Sequence, residues 1–221
     1  IDYHLFDTST PLELALSALV LSTVLGVALG VFAALNHNTW FDSLSMVLSL
    51  VGVSMPVFWL GLLFILFFSV RLQWFPPMGY GSIDRLVLPA VALGLLSSSR
   101  LARLVRSSML DVINQDYIRT ARAKGLAERR LIVVHALRNA LIPALTVIGL
   151  QFARMLGGAV LTETIFARQG LGRMYVESIL NKDITLIQGL TLMIAIAVVF
   201  TNLAVDIAYA ALDPRIRYEQ T

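Results

Sequence analysis

Asp116-Tyr117-Ile118-Arg119-Thr120-Ala121-Arg122-Ala123-Lys124-Gly125 interrupts an otherwise oily chain. The stretch combines small residues, cations and a closing glycine, and Arg100, Arg103, Arg106, Arg129 and Arg130 lie near it in sequence. Charge of this density is too costly for hydrocarbon, so the segment projects into water between membrane spans. It reads as a short docking helix through which a soluble component acts on a membrane protein.

Composition sets the class around that stretch. Of the 221 residues, 57% are hydrophobic and 14% charged, where soluble domains carry about 25% charged residues. Mean hydropathy is +0.79. The expected fold is all-α, a polytopic transmembrane helical bundle. With no cysteine, disulfides and cysteine-based zinc sites are excluded. The three histidines, His4, His37 and His135, are too scattered to form a metal site. The net charge of +3 is gathered in one central loop, where it sets membrane topology, so it does not indicate nucleic-acid binding.

Outward from the central stretch, five spans are expected at about 12–35, 44–70, 86–106, 139–162 and 184–212. Residues 1–11 form an extracytoplasmic segment, 107–138 a cytoplasmic coupling loop and 214–221 a cytoplasmic tail, the membrane domain covering 12–213. Ser9 or Thr10 can cap the first helix, with Pro11 in its first turn. Gly26 and Gly30, four apart, either allow close helix approach or fall there by chance. Pro56 should kink the second span. Trp59 and Trp74 suit interfacial anchoring, although Trp59 also suits packing.

The positive-inside rule orients the chain. Eleven of the 17 Lys and Arg fall on the side of residues 36–43, 100–138 and the tail, and five fall on the other. That side, with the C-terminus, is expected to be cytoplasmic. An odd number of spans then leaves Ile1 outside, and one further span upstream is expected.

The central run resembles the cytoplasmic signature of bacterial ATP-binding-cassette import permeases. Gly125 and Leu141-Ile142-Pro143 match that pattern, while Arg119 and Thr120 depart from it. The departures resemble one branch, the dipeptide/oligopeptide/nickel permeases. Tyr117 to Leu126, His135 to Pro143, Glu163-Thr164-Ile165-Phe166, Gly170-Leu171-Gly172-Arg173, Asp183, Gln188-Gly189 and Asp213-Pro214-Arg215-Ile216-Arg217-Tyr218 carry this resemblance over nearly the whole chain. It implies a permease subunit in a bacterial inner membrane forming half of the pore of an ATP-driven importer for di- or oligopeptides. Nickel chelates, glutathione and other small solutes are alternatives within the family. The implied partners are a second permease, two nucleotide-binding ATPase subunits and an extracytoplasmic substrate-binding protein. An ion-coupled secondary transporter is the alternative of another class. It predicts ionisable residues paired within several spans, whereas Arg154 is the clear mid-span charge here.

The physical reading stands beside the resemblance. Ala121 and Ala123 let the 116–125 helix approach a groove closely, and Arg119, Arg122 and Lys124 can reach acidic partners, the arginines bidentately. Gly125 can end the helix in the left-handed conformation. Gln151 and Arg154, three residues apart on one helical face, and Glu163 are candidates for the pore or substrate path. Asp206, near the end of the last span, suits structural pairing or water exposure. No G-x-x-x-x-G-K-[ST] phosphate loop is present, and no catalytic residues stand out. ATP and Mg are therefore expected on partner subunits, with no cofactor in this chain.

Overall fold

The computed structural model describes residues 9–158, 160–168 and 170–212. His4, the Asp213 to Tyr218 motif and the side chain of Asp206 lie outside the described residues. The regular elements are all helical. They are α1 (Ser9–Leu35), α2 (Trp40–Ser54), α3 (Val57–Phe64) running into a π-helical segment (Ile65–Arg71), α4 (Ile83–Ile113) and α5 (Asp116–Ala123). A single turn, α6 (Glu128–Arg130), leads through a second π-helical segment (Leu131–Ala136) into α7 (Leu137–Gly158). The short α8 (Val160–Ile165), α9 (Leu171–Leu180) and the long α10 (Ile184–Leu212) follow.

Among the described residues, Leu12–Leu35, Ile83–Ile113 and Glu128–Phe152 are each long and apolar enough to cross a membrane. Trp40–Ser54 with Val57–Arg71 makes a broken pair that passes the same test, and α10 contributes the apolar run Ile184–Phe200. Two helix boundaries differ from the expected spans. The kink at Pro56 is a full interruption, because proline gives no amide to the preceding turn. α4 continues past Arg106 to Ile113, since its buried row Leu101, Val105, Met109 and Val112 carries the apolar face onward. Residues 137–158 and 160–165 are helical, with Glu163 in the second stretch.

The chain divides into two compact units. The unit of Ser22–Ser54 and Leu95–Ile148 has a core built from the α4 row, Ile118 of α5, and Leu131, Ala136, Ala140 and Ala144. The three alanines recur every fourth residue, on one side of the helix. Helix α1 meets α4 over its glycines. A Cβ at Gly30 would lie 2.6 Å from the Ala102 carbonyl oxygen and 2.7 Å from Val105 Cβ, and one at Gly26 would lie 2.8 Å from Leu101 Cβ. The spacing of Gly26 and Gly30 therefore reflects close helix packing. Because backbone is among the obstructing atoms, Gly30→Ala should lower stability by about 1–2 kcal/mol. The check is the thermal unfolding midpoint of the detergent-purified protein, with Gly81→Ala, whose site has open space but a positive φ, as a comparison of strain without a clash.

The unit of Ile1–Leu21, Met55–Gly94 and Gly149–Thr221 packs Leu14, Ala15 and Ala18 of α1 with Ala90 of α4 and Met155 of α7. In the 72–82 loop, the Gly79 amide donates to the Phe166 carbonyl at 2.9 Å. Trp74 is exposed, its ring 5.9 Å from that of Phe68, and Trp59 is 44% exposed. Helix α9 ends without glycine: Lys182 takes φ 56°, and the Asp183 amide donates to the Ser178 carbonyl at 3.0 Å. The Asp183 carboxylate then accepts the Leu186 amide at 3.0 Å, capping α10. One residue thus closes one helix and opens the next.

Candidate functional site

Helix α5 begins with Asp116, whose charge suits the positive helix N-terminus. It ends in a Schellman turn. The Gly125 amide donates to the Arg122 carbonyl at 3.0 Å, and the Leu126 amide reaches the Ala121 carbonyl at 3.3 Å. Gly125 has φ +79°, the left-handed geometry that this closure demands. On the inner side, Ile118 is fully buried in the core with Leu131, Ala136 and Ala140. On the outer side Asp116, Arg119, Thr120, Arg122, Ala123 and Lys124 are exposed. The helix is therefore anchored by Ile118, with Ala121 packed beside it, and presents a charged surface.

The cations on that surface are not equivalent. Arg122 makes a two-pronged contact with Glu128, Nε to Oε2 at 3.1 Å and Nη2 to Oε1 at 2.6 Å. The guanidinium holds the Glu128 carboxyl below its ordinary range, and the carboxylate raises Arg122 in return. The pair pins the two sides of the Gly125 turn together, so the bidentate fork expected for a partner is already occupied within the chain. Arg119 is only loosely paired, 3.8 Å from Asp116. No ion pair is recorded for Lys124 among the described residues, and it is exposed.

A second contact joins α5 to the start of α7. The Asn139 side-chain amide donates to the Tyr117 hydroxyl at 2.8 Å and to the His135 carbonyl at 2.9 Å. The same hydroxyl lies 3.5 Å from that carbonyl. Elsewhere in this unit, Asp42 is buried and receives Arg106 Nε at 2.5 Å, Arg106 Nη2 at 2.6 Å and the Asn38 amide at 3.2 Å. His37 Nδ1 sits 3.1 Å from both Asp42 Oδ2 and Arg106 Nη2. Arg106 thus leaves the row of Arg100 and Arg103 to serve as the counter-ion of a buried acid. Sequence reasoning missed Asp42, Glu128 and the Tyr117–Asn139 contact.

The three pore candidates separate. Gln151 is buried at 4% exposure, whereas Arg154 is exposed and its Nε reaches only the Leu150 carbonyl at 3.3 Å. They share a helix but not an environment. Glu163 is buried at 2% exposure, and its carboxylate accepts the Gly172 amide at 2.8 Å and the Arg173 amide at 3.2 Å. It caps the N-terminus of α9 from a neighbouring helix. A Cβ on Gly170 or Gly172 would collide with that carboxylate, which accounts for the Gly-Leu-Gly spacing. Gly170→Ala should displace Glu163 and cost about 1–3 kcal/mol, measured as a lowered unfolding midpoint. Close by, Arg168 is 2% exposed, 3.4 Å from the Arg85 carbonyl and 4.0 Å from Glu13.

Among the described residues, helices of membrane-crossing length are joined through a charged and glycine-capped helix. The chain belongs to the family of binding-protein-dependent transport system inner membrane components, whose model matches residues 26–218. It is similar to the di/tripeptide transport system permease protein DppB of Pseudomonas aeruginosa strain UCBPP-PA14, 42% identical over 248 residues covering 99% of this chain and 74% of that protein. It is also similar to the glutathione transport system permease protein GsiC of Escherichia coli K12, at 42% over 208 residues covering 94% and 68%. The fold is shared with the MetNI methionine ABC transporter in an inward-facing conformation, with TM-score 0.77 and 18% identity over 92% of this chain and 93% of that one. The protein is thus a multi-pass membrane permease component that works with ATPase subunits.

Proposed function

We propose that this chain forms half of the translocation path of an importer for di- or oligopeptides, and that α5 with Gly125 is its coupling helix. The observation carrying the reading is the build of α5: Ile118 seated in the core, a closed Schellman turn at Gly125, and an outward charged surface. Such a helix can sit in a groove of an ATPase subunit and move as a unit. The chain itself hydrolyses nothing; ATP and Mg are bound by two nucleotide-binding subunits, and a second permease completes the path. An extracytoplasmic binding protein delivers substrate, and the C-terminus lies in the cytoplasm. The peptide cargo is supported by the similarity to the DppB permease, while GsiC keeps glutathione, itself a peptide, within the same chemistry.

In this reading ATP binding draws the ATPase subunits together, α5 follows, and the spans re-pack between inward and outward openings. A difference in affinity of α5 for the two ATPase states drives the change, since equal affinity would shift nothing. Arg154, exposed within α7, supplies a cation to the path, suited to a peptide carboxylate. Gln151 and Glu163, both buried, support the path from behind it.

The test is purification from the native membrane in mild detergent, followed by reconstitution with candidate peptides. Recovery of phosphate-loop ATPases and a second permease, with uptake that persists under a proton uncoupler while ATP is maintained, is the expected result. Recovery of the chain alone across several detergents, or uptake that collapses with the uncoupler, would overturn the proposal.

A further inference from the structure

The segment Leu137–Ile142 is bounded by two interruptions of regular α-helix. The π-helical turn Leu131–Ala136 precedes it, and Pro143 follows within α7. Proline has no N–H to give the carbonyl four residues back, which here belongs to Asn139. This turn and a half is thereby able to bend away from the rest of α7, as helices do at prolines and π-bulges. Along the chain it is joined to α5 through the Gly125 turn, pinned by the Arg122–Glu128 pair, and the π-helical segment, a longer route.

The side chains supply a shorter one. Ile118 anchors α5 by apolar contact, with Ala121 packed on the same core, and such contact has no preferred direction. Tyr117 lies next to Ile118, about 100° further around the helix. Its hydroxyl accepts the Asn139 amide at 2.8 Å, and that amide also holds the His135 carbonyl at 2.9 Å. A hydrogen bond is directional, so this contact adds the direction that apolar packing lacks.

We propose that Tyr117 and Asn139 are positioning residues that make α5 and the 137–142 turn one body, so that displacement of α5 bends α7 at Pro143. The proposal rests on α5 being the coupling helix and adds the route by which its movement leaves it. Without the bridge, α5 still docks, but apolar contact and the longer route through Gly125 are left to carry its movement to the 137–142 turn.

The experiment uses the complete importer in proteoliposomes, comparing wild type with Tyr117→Phe, Asn139→Leu and the double variant. Three quantities are read: ATPase subunits retained per permease, ATP hydrolysis rate, and dipeptide transported per ATP. Asn139→Leu, which lies outside α5, should keep its ATPase subunits and hydrolyse ATP. Transport per ATP should fall about fivefold, the factor that about 1 kcal/mol of one hydrogen bond represents, and the double variant should be no worse than either single one. Unchanged transport per ATP would overturn the proposal. So would additive losses, loss of ATPase subunits, or failure of both variants to accumulate, since these assign the residues to docking or folding. If wild type itself retains no ATPase, it is the coupling-helix reading that fails.

Discussion

Gly125→Val should lower ATP-dependent uptake about tenfold while the permease still accumulates in the membrane. Gly125 holds φ +79°, with no atom within 4 Å of the position a Cβ would take. The effect is therefore conformational, not steric crowding by a neighbour. An L-residue in the left-handed region costs about 1–2 kcal/mol, and a β-branched one resists it most. A helix end that costs about 1.4 kcal/mol more to close is correctly formed about tenfold less often. The Leu126 amide then loses the Ala121 carbonyl, the 126–127 link leaves α5 in a different direction, and Arg122 no longer faces Glu128. Gly125→Asn is the control, because asparagine tolerates the left-handed region, and it should restore most of the uptake. Measuring uptake together with the ATPase content of the purified complex separates lost attachment from lost coupling. Full uptake by the valine variant would show that the closed turn is unnecessary.

Arg106→Met should destabilise the protein by about 3 kcal/mol or more. Its partner Asp42 is 4% exposed and takes both prongs of the guanidinium. Methionine replaces the stem of the side chain and none of its charge. The Asp42 carboxylate would then keep only the Asn38 amide and His37, 3.2 Å and 3.1 Å away. The decisive comparison is with Asp42→Asn combined with Arg106→Met. Removing both charges removes the unpaired acid, so the double variant should recover much of the loss. Unfolding midpoints of the four detergent-purified proteins measure the cycle. Equal loss in the single and double variants would show that Arg106 contributes by packing its stem and not by pairing.

The long helices and the short α5 were legible because their signals are local. Hydropathy runs, a charged interruption and a closing glycine each act within a few residues, and the left-handed Gly125 follows from its position after Lys124. What stayed hidden depends on residues distant in sequence. Arg106 and Asp42 are 64 positions apart, and Tyr117 and Asn139 are 22 apart. Charge counting placed Arg106 with Arg100 and Arg103 as a topology signal, since no local pattern marks which cation has a buried counter-ion. Helical spacing put Gln151 and Arg154 on one face, but a three-residue step turns about 300°, enough to carry one into the core and leave the other outside. The capping contact of Glu163 is hidden in the sequence because the Gly-Leu-Gly segment that encloses it comes later in the chain. Helix ends were overrun for a different reason: a span is bounded by the membrane, whereas a helix is bounded by its caps.

The junction of α9 and α10 has a consequence for chain length. Asn181, Lys182 and Asp183 are all that separate the two helices, and Asp183 is bonded to both of them. One added residue there would disrupt the turn that Lys182 closes and detach either Ser178 or Leu186 from Asp183. The stretch from Leu72 to Ser82, tied at Gly79 and irregular around it, can absorb extra residues without changing the register of a helix.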